Sequence, residues 1–300
     1  MPYRFKRKES VSQGLRRIVV EQSEKAAGEL SGDNPDIDEG VHNARKSFKK
    51  VRSLLRLVRR DMGRRRYKKE NEWFRDAKNR LSSARDAEAM IETFDGLAER
   101  FPSIAECSSL RSVRGALEER RARVVEEAVN LKQVANSTAA SLLHVQDRKR
   151  RWDLSHDGFA AIRPGLERYY DEGRKAMDEA YRKPTNEHFH EWRKRVKDHW
   201  YHCRLLGNIW AEGMSSRIDE LKRLSDFLGD DHDLAVLCEM LEKQGSDLEG
   251  DTATIMCLAQ RRQGELRAEA RVFGERLYAK TPDRLADEFA GYWSAWKKGT

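Results

Sequence analysis

Twenty residues, Val41–Arg60, carry two periodicities that only a helix can separate in space. Val41, Ala44, Phe48, Val51, Leu55 and Val58 recur every three or four positions and form one apolar stripe. Arg45, Lys49, Arg52 and Arg56 recur on the same period one step round, so a cationic stripe runs beside the one that will be buried. Basic residues stand at 45, 46, 49, 50, 52, 56, 59 and 60, and the stretch has no carboxylate. Like charges four apart cost a helix roughly a few tenths of a kcal/mol per pair. A helix that stacks several of them is built to meet a polyanion.

The pattern returns further along. Shifted by 148 residues, His42 falls on His190, Arg45 on Arg193, Lys49 on Lys197 and Arg56 on Arg204. The apolar Val41, Phe48 and Leu55 fall on Phe189, Val196 and Cys203, all within Phe189–Leu206. Arg52 is the exception, since its counterpart is Trp200. Gly14-Leu15 and Gly165-Leu166 open matching helical patterns, and Leu81–Asp86 corresponds to Leu228–Asp233.

The rest of the chain reads as helices too. A first helix is expected from Ser10 to Leu30, with Val11, Leu15, Ile18 and Val19 on its inner face, and a loop follows from Ser31. Arg64–Lys69 should open a helix to about Ala84, and a further segment from Arg85 leads to Pro102. Ser103–Glu106 and Ser246–Glu249 have the S-x-x-E form of a capping box, the first opening a long run towards Arg150. Thr281-Pro282 marks the start of a last helix. No stretch alternates with period two, so no strands are expected. The expected fold is all-α: two tandem helical bundles, 1–150 and 151–300, related by duplication. A pseudo-twofold axis would then set the two basic helices facing each other across a central basic channel.

Charge narrows the partners. The chain has 59 basic and 51 acidic residues, a net +8, so the local excess in 41–60 matters more than the total. On charge alone, nucleic acid, inorganic polyphosphate and an anionic membrane all qualify. No window approaches the roughly 20 apolar residues of a membrane span. The opening MPYRFKRKES has no apolar core and is not expected to be a secretory signal. Four cysteines without a CxxC pair argue against a zinc site or a disulfide framework and fit a reducing cytoplasm.

FHEWRKRVKDHWYHCRLL and VHNARKSFKKVRSLLRL, each followed by a His-Asp or Arg-Asp step (His232-Asp233, Arg85-Asp86), resemble the CHAD family, the conserved histidine α-helical domain. The resemblance extends from about Tyr3 to Trp296. It implies a duplicated helical bundle whose basic central surface binds inorganic polyphosphate, and association with polyphosphate granules. The positions it implies as polyphosphate-binding are His42, Arg45, Lys49, Arg52, Arg56, His190, Arg193, Lys197 and Arg204. Many such proteins carry a triphosphate-tunnel domain with an ExExK signature; Glu70-Asn-Glu72-Trp-Phe74 lacks the Lys, so none is expected.

Rival readings follow from other residues. His188, His190, His199, His202 and the Asp230–Asp233 cluster invite a metal-dependent phosphohydrolase, with His199 and His202 sharing a face. Against this, Asp230 follows Gly229 and precedes an apolar run, as at a helix start. A nucleic-acid-binding protein is the other alternative. The tryptophans sit in helical patterns and are expected to pack. No Gly-rich phosphate loop and no nucleophilic arrangement is visible. The expectation is a binding protein, not an enzyme, with no cofactor and no metal.

Overall fold

Ser10 fixes the start of the first helix. Its hydroxyl accepts the Gln13 amide at 3.1 Å, and the Gln13 side chain accepts the Ser10 amide at 2.8 Å, so the two satisfy each other's donors. The Val11 amide donates to Asp157 Oδ1 at 2.9 Å, which ties the beginning of the chain to its midpoint. Helix α1 (Val11–Glu29) then buries Val11, Leu15, Ile18 and Val19, the expected face.

The computed structural model describes residues 3–32, 34, 36–81, 84–102, 108–126, 128–145, 152–244 and 252–299. Among these residues there are twelve α-helices and no strands, so the protein is all-α. After α1 come α2 (Ile37–Leu57), α3 (Arg59–Met62), α4 (Arg64–Arg80), α5 (Ala84–Arg100), α6 (Ser108–Glu126) and α7 (Ala128–Leu143). A 3-10 turn, Gly158–Ala161, precedes α8 (Arg163–Arg182), α9 (Asn186–Leu205), α10 (Ala211–Gln244), α11 (Thr252–Leu277) and α12 (Pro282–Lys298). No described helix is long and apolar enough to cross a membrane.

Several boundaries differ from the sequence expectation for identifiable reasons. The helix carrying the first basic stripe starts at Ile37, because Asp36 accepts the Glu39 amide at 3.0 Å as its N-cap. Asp38 and Glu39 in its first turn suit the positive end of the helix dipole. It stops at Leu57 and resumes as α3, which Gly63 closes at φ 84°, a conformation glycine adopts without steric cost. The run expected towards Arg150 is two helices, α6 and α7. Thr281 holds the N-cap position of α12 with Pro282 in the first turn, as expected. Ser103–Glu106 and Ser246–Glu249 lie outside the described residues.

The expectation of a helix start at Asp230 is corrected. Gly229 and Asp230 sit inside the 34-residue α10. Leu224, Ser225, Leu228 and Asp231 are buried on either side of them, and that packing outweighs the roughly 1 kcal/mol a glycine costs a helix interior.

Two apolar clusters hold the helices. The larger includes Ile18, Phe48, Leu54, Leu166, Trp192 and Leu221, and so draws on both sides of residue 150. The smaller joins Phe94 of α5 and Leu117 of α6 to Leu237 of α10 and Leu266 of α11. Each such fully buried side chain contributes roughly 1.5–3 kcal/mol of transfer free energy. Trp152, Trp192 and Trp293 are buried as expected, whereas Trp210 is 48% exposed, beside the Tyr292 ring.

At the centre, α2 meets α8 and α9. A Cβ on Gly165 would stand 1.9 Å from the Leu57 carbonyl oxygen, so only glycine lets α8 reach the end of α2. The N-terminal segment straps the central pair together. The Tyr3 hydroxyl donates to the Lys50 carbonyl at 2.7 Å, and the Phe5 amide donates to the Leu205 carbonyl at 3.0 Å.

Candidate functional site

α2 and α9 join at Ser53. His202 donates from Nε2 to the Ser53 carbonyl at 3.0 Å, and the Ser53 hydroxyl lies 3.4 Å from the Asp198 carbonyl. Burial pushes the His202 imidazole down to about 4, so it stays neutral with its proton on Nε2. His199 is also fully buried and driven well below the ordinary histidine range, with Arg217 Nη2 at 3.0 Å from its Nε2. These two histidines belong to the core. Among the described residues, no group of three or more His, Cys, Asp or Glu side chains is placed to hold a metal ion.

Beside this junction lies a cleft of about 610 Å³, within the range of ligand sites. Arg45, Lys49, Arg52 and Arg56 line it from α2, and His190, Arg193 and Lys197 from α9. Seven of the nine residues singled out in the sequence therefore converge. Their convergence follows from helix geometry, since each set repeats every three or four residues on the flank of a buried stripe.

The other two lie elsewhere. His42, one turn before Arg45, is half-buried on α2 and does not line the cleft. Arg204 lies beyond Tyr201, its guanidinium 4.7 Å from the centre of the Trp200 ring and 5.9 Å from that of Tyr3.

The cleft also recruits residues that the sequence did not single out for polyphosphate. Lys78 comes from α4, Lys194, Arg195, Asp198 and Tyr201 from α9, and His232 and Asp233 from α10. The His-Asp step at 232–233 was the available signal; the side chains of its counterpart, Arg85-Asp86, lie outside the described residues. In total nine Arg and Lys side chains face two carboxylates.

One of those carboxylates is committed to the fold. Asp198 is buried and accepts from Arg56 Nη1 at 2.5 Å, with Arg195 Nη1 at 3.6 Å. Burial opposes the charge on Arg56, but Asp198 together with Tyr169 and Tyr67 outweighs it, and the arginine titrates above its ordinary value. Arg195 is held further by Glu191 at 2.6 Å and Glu172 at 2.9 Å. Arg52, whose Nε donates to Asn71 Oδ1 at 3.1 Å, is pushed down to about 10 by burial and by Arg56.

Among the other cations, Lys197 is pressed by like charge. Burial, then Arg193 and Lys49, push the Lys197 amine down to about 7, although Asp233 and Asp226 act the other way. Burial also lowers Arg193, against the pull of Asp233, Asp230 and Asp231. The rings of His190 and His232 stack with centroids 4.1 Å apart. Burial and the surrounding Lys and Arg charges lower His190, and burial with His190 beside it takes His232 to about 3. Two buried nitrogens, His190 Nδ1 and Arg193 Nε, have no hydrogen-bond partner among the described residues, where buried polar atoms normally have one. An anion in the cleft would relieve the repulsion at Lys197.

An all-α protein with a cation-lined cleft between two central helices is thus what the chain builds. The CHAD domain matches residues 19–242, three quarters of the chain, and the protein belongs to that family. No curated protein matches it.

Proposed function

We propose that the protein binds inorganic polyphosphate in the cleft between α2 and α9 and does not turn it over. The observation that carries this reading is the ratio of nine Arg and Lys side chains to two carboxylates around one cleft, with matched positions from both halves of the chain. Internal units of the polymer each carry an anion and present no base edges, so recognition is Coulombic with charge-assisted hydrogen bonds. Arginine supplies a fixed fork for two oxygens, and lysine a mobile point charge. The same reading treats the halves as duplicated copies with the cleft on their pseudo-twofold axis, and puts the protein in the cytoplasm at polyphosphate granules.

Calorimetry with long-chain polyphosphate, tripolyphosphate and orthophosphate across a salt series tests it. The long chain should bind far more tightly, and its affinity should fall steeply with salt, by analogy with nucleic-acid phosphates. Equal affinity for all three sinks the reading. Replacing Arg45 and Lys49, or Arg193 and Lys197, by Glu should abolish binding with helical content unchanged; retained binding would put the site elsewhere. Incubation with Mg²⁺ or Mn²⁺ should release no phosphate. Nucleic acid should fail to displace bound polyphosphate.

A further inference from the structure

A second cavity, of about 410 Å³, opens at the Arg56 end of the cleft. Arg56 lines both. The others around it are Arg59, Arg60, Arg64 and Arg168, with the first turn of α8 as the remaining wall, and no carboxylate lines it among the described residues. The local fold concentrates the charge. α2 ends at Leu57, and the turn at Gly63 folds α4 back so that Arg64 joins Arg59 and Arg60. The Arg59 guanidinium rests on the Tyr67 ring at 4.9 Å, and Arg168 is tied to Glu172 at 2.8 Å. Arg56 and Arg168 have carboxylate partners, so the excess charge at the cavity is that of Arg59, Arg60 and Arg64, which an anion among them would offset.

The arginine cluster is not repeated at the matching positions of the second half. On the 148-residue register, Arg59, Arg60 and Arg64 correspond to Gly207, Asn208 and Glu212.

We infer that this arginine cavity is a second phosphate subsite, occupied by the part of a polyphosphate chain that runs past Arg56. The inference rests on the cleft being the primary polyphosphate site. Arg45 and Arg56 are 11 residues apart, about 16 Å along a helix at 1.5 Å per residue. A short oligomer is satisfied within the cleft, whereas a long chain continues into the arginine cavity and displaces more counterions. The outer subsite thus selects for length.

The test is a triple variant, Arg59→Gln/Arg60→Gln/Arg64→Gln, beside Arg45→Gln/Lys49→Gln, with tripolyphosphate and long-chain polyphosphate as probes. Arg60 and Arg64 are exposed and Arg59 half-exposed, so the triple variant should fold, which circular dichroism checks. Its affinity for the long chain should drop about tenfold, and the slope of log affinity against log salt should shrink by about 2, or 0.7 for each of three charges. Its tripolyphosphate affinity should stay within about twofold of the unsubstituted protein, the tolerance being set by screening over such distances. Unchanged long-chain affinity and slope, with both ligands weakened by Arg45→Gln/Lys49→Gln, would overturn the outer subsite and leave the cleft standing. Unchanged binding of both ligands by Arg45→Gln/Lys49→Gln would overturn the cleft and the subsite together. Oligothymidylate bound as tightly as polyphosphate, and lost in the triple variant, would make the cavity a nucleic-acid groove instead.

Discussion

The two ends of the α2–α9 pair carry the same arginine and opposite surroundings. At one end Arg56 reaches across to Asp198 at 2.5 Å. At the other, Arg204 faces Lys50, because the 148-residue register that carries Arg56 onto Arg204 carries Lys50 onto Asp198. The first pair is an ion bridge; the second is a pair of like charges. Burial, then Arg204, Lys25 and Lys46, push the Lys50 amine down to about 8. Aromatic faces replace the missing carboxylate, with Trp200, Tyr201 and Tyr3 all within 6 Å of the Arg204 guanidinium (4.7, 5.8 and 5.9 Å). Trp200, which breaks the match with Arg52, is the ring that Arg204 rests on most closely. An electrostatic role at one end is therefore a stacking role at the other, and a repeated motif need not repeat its function residue by residue.

Breaking the neutralised end should have the largest effect. Asp198→Ala leaves Arg56 buried without its partner and should lower unfolding stability by about 3 kcal/mol, the low end for removing one half of a buried pair. Urea unfolding measures this. The same change removes a carboxylate from the cleft, so polyphosphate should bind more tightly to the less stable protein. An unaltered midpoint would mean that the Arg56–Asp198 contact carries no stability and that the contrast between the two ends is only geometric.

A smaller effect separates the charge in the cleft from the charge at its ends. Burial and the neighbouring Arg193 and Lys49 bring Lys197 down to about 7, against 10.5 ordinarily. The folded protein thus holds fewer protons than the unfolded chain between those values, and this group's contribution to stability rises with pH across that window and is flat below it. For binding the sign reverses. An anion restores the proton, so affinity should fall with rising pH above about 7, by at most about tenfold per unit for one proton. Lys197→Met should flatten that slope. A slope that survives the substitution would assign it to Lys50 or to the cleft histidines.

Much of this was legible in the sequence where structure is local. The inner faces of α1, α2 and α9 follow from apolar spacing, and Arg45, Lys49, Arg193 and Lys197 converge because their spacing fixes their side of each helix. Contributions that depend on tertiary approach were not legible. Lys78, His232 and Asp233 enter the cleft only because α4 and α10 pack where they do. Gly229 looked like a break, yet burial of its neighbours carries α10 through it. Asp198 lay in plain view inside the second basic stretch, as the one acidic answer to a lysine in the first. The register held that signal, but its meaning required knowing that position 56 sits opposite position 198.

The finest test tries to make the two ends alike. Lys50→Asp would place a carboxylate opposite Arg204, as Asp198 stands opposite Arg56. Arg204 and Lys50 are both half-buried, so the gain should be small, no more than about 1 kcal/mol as for partly solvated pairs. For a chain of this size that is a rise of about 2 °C in Tm. The Tyr3 bond should survive, since it is made to the backbone carbonyl of residue 50. Because Arg204 and Lys50 do not line the cleft, tripolyphosphate affinity should change only through weak long-range attraction. A fall in Tm would show that aromatic stacking already holds Arg204 in a geometry a carboxylate cannot use. A large loss of tripolyphosphate affinity would instead make Arg204 part of the site, and the two ends would then be alike in function despite their different neighbours.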